Sequence, residues 1–349
     1  ASISNQVYSA KSENDFILEA REGRTAEVVI YDDHGEFSQT SPTFVVATTE
    51  DTLIMGWQGS TYLLDWIADF AFNPVNSPEL GEAATGIKGS GSFFSHIASD
   101  LLIHQDKIKE CIENKKRKRS GQENTRIKKI VFTGHSLGGG LANVAHLFVQ
   151  AKINDETSFW SGKDLSLNTV TFAAVMSFLD LDEVECENKE ANKLMKQVEE
   201  SSCNIIYGPD VVPRVYAHID YLHDVLKAGA NEMVDAKISK LMFGLRGIVK
   251  QKLLSLVQEK IKPLVEIMAK YRHIGSMIYY PSDKDAGPLK LQDTGPFHGA
   301  EKTNNDETKF HFYSFDKYEI KKGNVILTLK EAHSYFPHAL SLYVPKKDE

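Results

Sequence analysis

The sequence predicts an α/β domain in which a mainly parallel sheet is covered by helices on both faces. Three observations predict it. Short runs rich in β-branched and aromatic residues alternate with longer helical patterns along most of the chain, and strands that alternate with helices pair in parallel. One such run, Ile130-Val131-Phe132-Thr133, enters Gly134-His135-Ser136-Leu137-Gly138 and leaves into an apolar helical pattern from Leu141 to Val149. The 349 residues suffice for one large domain, or for a domain with a substantial insertion.

Composition narrows the functional class. Hydrophobic residues make up 42% and charged residues 25%, as in ordinary globular proteins. The net charge of −8 gives no basis for nucleic-acid binding. No run of 18 apolar residues is present, so no membrane span is expected. The three cysteines, Cys111, Cys186 and Cys203, form no disulfide framework, no CxxC and no metal-ligand spacing with histidine. Neither a metal nor a cofactor is therefore expected. So few cysteines favour a reducing, intracellular compartment. The chain begins at Ala1 and its first 24 residues hold no apolar signal core, which fits a processed N-terminus.

In chain order, residues 1–24 read as an N-terminal arm with helix formers from Asp15 to Glu22. Ala26–Tyr31 is a short strand ending in the turn Asp32-Asp33-His34-Gly35. Thr43–Thr48 and Thr52–Trp57 form a hairpin around Glu50-Asp51. After Gln58-Gly59-Ser60-Thr61 comes a short helix with Leu63, Leu64, Trp66, Ile67 and Phe70 on it, stopped by Asn73-Pro74-Val75-Asn76-Ser77-Pro78. Gly89–Phe94 leads into a helix through about Asn114, and the basic run Lys115–Arg119 lies in the solvated loop that follows. Asn168–Ala174 is a strand, Asp180–Ser202 is acidic with helical character, and Cys203–Tyr207 is a strand.

From Tyr221 to Tyr271 the pattern turns helical. Between 237 and 262, apolar residues such as Ile238, Leu241, Leu245 and Val249 recur at helical spacing opposite Lys237, Lys240, Arg246 and Lys250. Such a helix either caps the domain or lies on an anionic membrane surface. Sheet returns at Ile274–Tyr280 and Asn324–Lys330, with a third run at Phe310–Tyr313 and a long polar loop over Ser282–Thr308.

The residues flanking Ser136 point to chemistry. Strand, sharp turn and helix hold a serine on a strained elbow, with glycines where a Cβ would clash. The Leu137 N–H then faces the helix N-terminus, where an oxyanion is held. A serine hydroxyl needs an imidazole to take its proton and a carboxylate to orient that imidazole. In this arrangement the chain order is serine, acid, histidine. Asp210 follows a strand and is stiffened by Pro209 and Pro213. His333 follows the last strand, and His338 is its rival five residues on. Gly59-Ser60 sits where a second oxyanion donor belongs. His135, inside the elbow, is expected to face away from substrate and to pack or hydrogen-bond.

Three segments together resemble the class 3, fungal-type triacylglycerol lipases: Trp57-Gln58-Gly59-Ser60 with Asp65–Phe70 and Pro74–Pro78, Gly134–Gly140, and Asp210-Val211-Val212-Pro213. The resemblance covers about residues 25–220 and the last strand with its histidine. It implies the α/β-hydrolase fold, hydrolysis of acylglycerol esters at a lipid–water interface, and a lid. By that resemblance the catalytic residues are Ser136, Asp210 and His333, the oxyanion residues Ser60 and Leu137, and the lid residues Leu63, Leu64, Trp66, Ile67 and Phe70. Gln58 stands where the family usually has arginine, and Thr171–Val175 lacks its Gly-Ser-Pro. The long interval between Asp210 and His333 is similar to that of sn-1-specific diacylglycerol lipases, which carry an insert there.

The expected organisation is an arm (1–24), a catalytic domain (25–220 and 273–349) and a helical insert (221–272). The expected partners are a lipid substrate and its interface, with peripheral membrane contact through 237–262. The alternatives are a phospholipase or galactolipase, a small-ester esterase, and an inactive membrane-surface scaffold.

Overall fold

The computed structural model describes residues 26–34, 42–59, 74–76, 78–113, 126–179, 188–207, 210, 212–213, 266–268, 270–280 and 289–291, with single positions at 3, 6, 10, 12, 13 and 263. The expected lid helix, the basic run at 115–119, the amphipathic stretch 237–262 and the strands expected at 310–313 and 324–330 lie outside these residues.

Among the described residues, eight strands form the main sheet. They are β1 (Glu27–Asp32), β2 (Phe44–Thr48), β3 (Thr52–Trp57), β6 (Lys129–His135), β7 (Ser166–Phe172), β9 (Ser202–Tyr207), β11 (Ser276–Tyr280) and β12 (Leu289–Leu291), side by side in that order. The central strands β3, β6, β7, β9 and β11 run parallel. Antiparallel strands flank them: β1 and β2 form a meander onto β3, and β12 returns against β11. This mainly parallel sheet with its helices is the α/β-hydrolase fold. The strand β12 falls inside Ser282–Thr308, which reads as loop because Leu289-Lys290-Leu291 is too short to carry a period. Only pairing to β11 makes it a strand.

Alternation along β2 explains how both faces are buried. Phe44 and Val46 join the large core, while Val45 and Ala47 pack with Ile3 on the other face. Four helices are described: α1 (Gly91–Ile103), α2 (Gln105–Glu113), α3 (Leu137–Ile153) and α4 (Lys189–Glu200). α3 is apolar nearly all round and is correspondingly buried on nearly all sides, with α1 and α4 packed against it. The single helix expected from residue 91 to about 114 is interrupted at His104, whose backbone leaves helical geometry. α4 starts at Asn188, whose side chain accepts from the Glu190 and Ala191 amides.

A second, four-stranded sheet is formed by β10 (Tyr271–Arg272), β8 (Phe178–Leu179), β5 (Lys88–Ser90) and β4 (Pro74–Asn76). Its strands are two or three residues long, so none shows in the sequence pattern. Pro74–Asn76, which reads as a helix stop, is its edge, where proline is tolerated. The expected insert boundary at 272 falls in β10, so the last residues of 221–272 pair with the body of the domain.

Candidate active site

The site is built on the C-terminal edge of the parallel strands, where ligands of open α/β sheets bind. Trp57 lies beside Gly134, His135 beside Phe172, and Phe172 beside Ile205. The chain therefore leaves β3 for Gly59, β6 for Ser136 and β9 for Asp210 at one edge of the sheet.

Ser136 is the turn between β6 and α3, at φ 57° and ψ −123°. Glycine prefers this conformation, and a residue with a Cβ is strained in it by about 1–3 kcal/mol. Surrounding bonds hold it there. The Ser136 N–H donates to the Phe172 carbonyl at 3.0 Å, and the Ser136 carbonyl accepts from Gly139 at 3.0 Å and Gly140 at 3.2 Å. The turn is possible because strand and helix meet at two glycines. A Cβ on Gly134 would overlap the Gly138 backbone, and one on Gly138 would overlap the Trp57 carbonyl. Leu137 opens α3, and the first amides of a helix have no intrahelical acceptor. Its N–H is thus available beside Ser136, and the helix dipole favours negative charge there. His135 is buried, as expected of a packing residue.

The segment after β3 is tied to its neighbour. The Gln58 N–H donates to the Thr43 carbonyl at 2.9 Å, and the Thr43 hydroxyl donates to Gln58 Oε1 at 2.7 Å. Gln58 is therefore committed to Thr43. Gly59 is buried; Ser60 and the residues expected to form a lid, Leu63, Leu64, Trp66, Ile67 and Phe70, lie outside the described residues.

Asp210 is fully buried three residues past β9, and its Oδ1 accepts from the Val212 N–H at 3.0 Å. This local turn is typical of aspartate. The loop that carries Asp210 is held from behind by two residues not among the expected site residues, His273 and Asn204. His273 Nε2 lies 2.6 Å from the Pro213 carbonyl, which makes it the donor, so its Nδ1 accepts from Asn204 Nδ2 at 3.4 Å. Asn204 Oδ1 in turn accepts from the Ala174 N–H and the Thr171 hydroxyl, both at 3.1 Å. One buried network thus links the end of β7 to the acid loop. The available signal was Asn204 itself, a polar residue inside the apolar run Cys203–Tyr207. His333 and His338 lie outside the described residues.

Burial sets the charge state of the histidines packed in this region. It pushes His273 down to about 4, against the bond to Pro213, and His146 down to about 3. His146 sits under β7, bonded to Thr169 at 2.8 Å and stacked on Phe132. Asp100 moves the other way, raised by burial to about 6 from 3.8. The signs give a prediction. In the unfolded chain both imidazoles take up protons below about 6.5, which the folded state refuses, so stability is full above that pH and falls below it. Below about 6 the folded state binds a proton at Asp100 before the unfolded chain does, which restores part of the loss. His96, also lowered by burial, adds to the loss, so the histidines outweigh the aspartate by at least one net proton, or at least about 1.4 kcal/mol lost per pH unit between about 6 and 4.5. Urea midpoints measured from pH 7.5 to 4.5 check this; a flat or rising series contradicts neutral burial of the two rings.

The fold and the elbow define a serine hydrolase of the α/β-hydrolase class. Residues 54–219 match the family model of class 3 lipases. That segment, just under half of the chain, is similar to the class 3 lipases, and the protein is a carboxylic ester hydrolase. Similar solved structures include the triacylglyceride lipase of Rhizomucor miehei, 15% identical over 77% of this chain and 72% of that one, with a TM-score of 0.42. Lipase II of Rhizopus niveus is 14% identical, over 81% and 76%, at 0.44. A triacylglycerol lipase of Penicillium expansum is 15% identical, over 77% and 74%, at 0.42. No curated protein matches the sequence.

Proposed function

We propose that the protein hydrolyses acylglycerol esters at a lipid–water interface through Ser136, Asp210 and His333. The observation that carries this is the elbow: Ser136 is held at positive φ beside the N-terminus of α3, at the sheet edge from which Asp210 also emerges. In this reading the Ser136 hydroxyl attacks the acyl carbon while its proton passes to His333. The oxygen that becomes negative is held by the Leu137 N–H and by Ser60. The tetrahedral adduct collapses, the alcohol leaves with the proton from His333, and water then releases the acid by the same route in reverse. Asp210 orients the imidazole from its fixed place in the acid loop.

Residues 62–70 serve as the lid in this reading, their apolar side chains covering the serine in water and meeting lipid when open. Residues 221–272 form the insert, and its basic amphipathic stretch 237–262 contacts the membrane surface.

The test is a panel of mono-, di- and triacylglycerols, phospholipids, galactolipids and a soluble p-nitrophenyl ester. The expected result is acylglycerol hydrolysis whose rate jumps above the substrate's solubility limit. Preference for phospholipid or galactolipid, or a rate without the jump, overturns the substrate assignment. For the base, His333→Ala lowers kcat by about 10⁴-fold while His338→Ala keeps it within about tenfold of the parent. The reverse pattern moves the base to His338.

A further inference from the structure

Behind the strand that leads to Gly59 lies a buried polar cluster that the proposed reaction does not use. Trp57, the last residue of β3, is fully buried, and its indole N–H donates to Asp100 Oδ2 at 2.8 Å. Asp100 is on α1 and only 1% exposed. Its other oxygen faces His34 Nε2 at 3.5 Å, and that nitrogen also lies 3.1 Å from the Pro42 carbonyl. His34 Nδ1 is 3.8 Å from Asp32 Oδ2, which His104 Nε2 meets at 2.8 Å. His96, on α1, stands edge-on to the His34 ring at 6.2 Å. Five titratable side chains from β1, the turn after it and α1 with its C-terminus thus form a linked cluster that reaches the indole N–H through Asp100.

A buried carboxylate is a costly acceptor for a neutral donor, and an apolar neighbour of similar volume would stabilise the core at least as well. What the carboxylate adds is direction. It fixes the indole about its side-chain torsions, while Phe44 stacks on the ring at 4.9 Å from the opposite strand. The backbone of the same residue abuts the elbow: the Trp57 carbonyl and Gln58 carbonyl carbon occupy the space a Cβ on Gly138 would fill. A shift of the Trp57 backbone would therefore press Trp57 and Gln58 against Gly138, two residues past Ser136.

We propose that Asp100 is a positioning residue, which by holding the Trp57 indole fixes the end of β3 and so sets the oxyanion donor segment against the elbow. This rests on the reading of Ser136 as nucleophile with its donors at Leu137 and Ser60. Misplacing one donor weakens stabilisation that develops only in the transition state, so the effect falls on kcat rather than KM.

The experiment compares Asp100→Leu, Trp57→Phe and Asp100→Asn with the parent and with Ser136→Ala. A soluble p-nitrophenyl ester is the substrate; rates are counted per site labelled by a fluorophosphonate, which discounts misfolded protein, and per mole of protein for Ser136→Ala, which has no serine to label. Asp100→Leu and Trp57→Phe are expected to lower kcat about tenfold with KM within about twofold. Asp100→Asn, which still accepts from the indole, returns kcat to within about threefold of the parent. Should Asp100→Leu fail to fold, Trp57→Phe removes the same bond from the other side. A Ser136-dependent parent whose Trp57→Phe per-site kcat is unchanged overturns the positioning role alone, as does a rise in KM at constant kcat. A parent without esterase activity, or Ser136→Ala as active as the parent, overturns the reading of the site and the positioning role with it.

Discussion

Replacing Ser136 by alanine is expected to lower ester hydrolysis by about 10⁴–10⁶-fold, because the proposed acyl intermediate forms on its hydroxyl. The same change should scarcely alter stability. The Ser136 side chain makes no capping bond to α3, so removing the hydroxyl leaves no helix amide newly unpaired. Glycine separates chemistry from fold further. At φ 57° and ψ −123° any Cβ is strained by about 1–3 kcal/mol, whereas glycine adopts this region freely at an entropic cost of about 0.5–1 kcal/mol. Ser136→Gly should therefore be as inactive as Ser136→Ala and more stable than it by about 1 kcal/mol. Activity on a p-nitrophenyl ester and urea midpoints of the three proteins provide the check. Substantial activity in Ser136→Ala would remove the serine from the mechanism. A glycine variant no more stable than the alanine variant would remove the strain. The expected pattern is a nucleophile retained at the expense of stability, as at other functional sites.

That strain also explains what the sequence made legible. The elbow is a local structure: a β-branched run, two glycines at fixed offsets and an apolar helix can be read without knowing what surrounds them. The parallel core is legible for the same reason, since β3, β6, β7 and β9 all appear as apolar runs with helical patterns between most of them. Asp210 was legible because Pro209 and Pro213 mark a rigid loop after a strand, and the structure puts it at the same sheet edge as Ser136. The support behind these residues was not legible, because it is tertiary. His273 bonds Pro213 sixty residues away, and Trp57 bonds Asp100 forty-three residues away. Nothing in the local pattern of either histidine or aspartate announces its partner. The small sheet is a similar case: three residues of β4 become a strand only because Lys88–Ser90 lies alongside. The break at His104 follows the same rule, for its imidazole is drawn to Asp32 on β1.

Gly138→Ala should destabilise the protein by about 3–5 kcal/mol, although alanine is the better helix former by about 1 kcal/mol. The two effects are easily ranked. The propensity gain belongs to any exposed helical glycine. The loss belongs to this one, because its added Cβ would overlap the Trp57 carbonyl oxygen and carbon and the Gln58 carbonyl carbon, all backbone atoms of the segment clamped to Thr43. Backbone so held cannot rotate aside, so either α3 lifts from the sheet or β3 shifts. Gly140 supplies the control, two residues along the same helix. There the new Cβ would meet Val175 Cγ2 at 2.7 Å and the Phe93 ring at 2.8 Å, both side-chain atoms that repack. Gly140→Ala should therefore cost no more than about 1–2 kcal/mol. Both variants are read by urea denaturation, with kcat per fluorophosphonate-labelled site measured alongside. Gly138→Ala is expected to lose kcat beyond its loss of folded protein, because the atoms it displaces lead into the donor segment. Gly140→Ala is expected to keep it. Equal destabilisation in the two variants would mean that strand and helix do not meet at Gly138 as closely as the elbow requires.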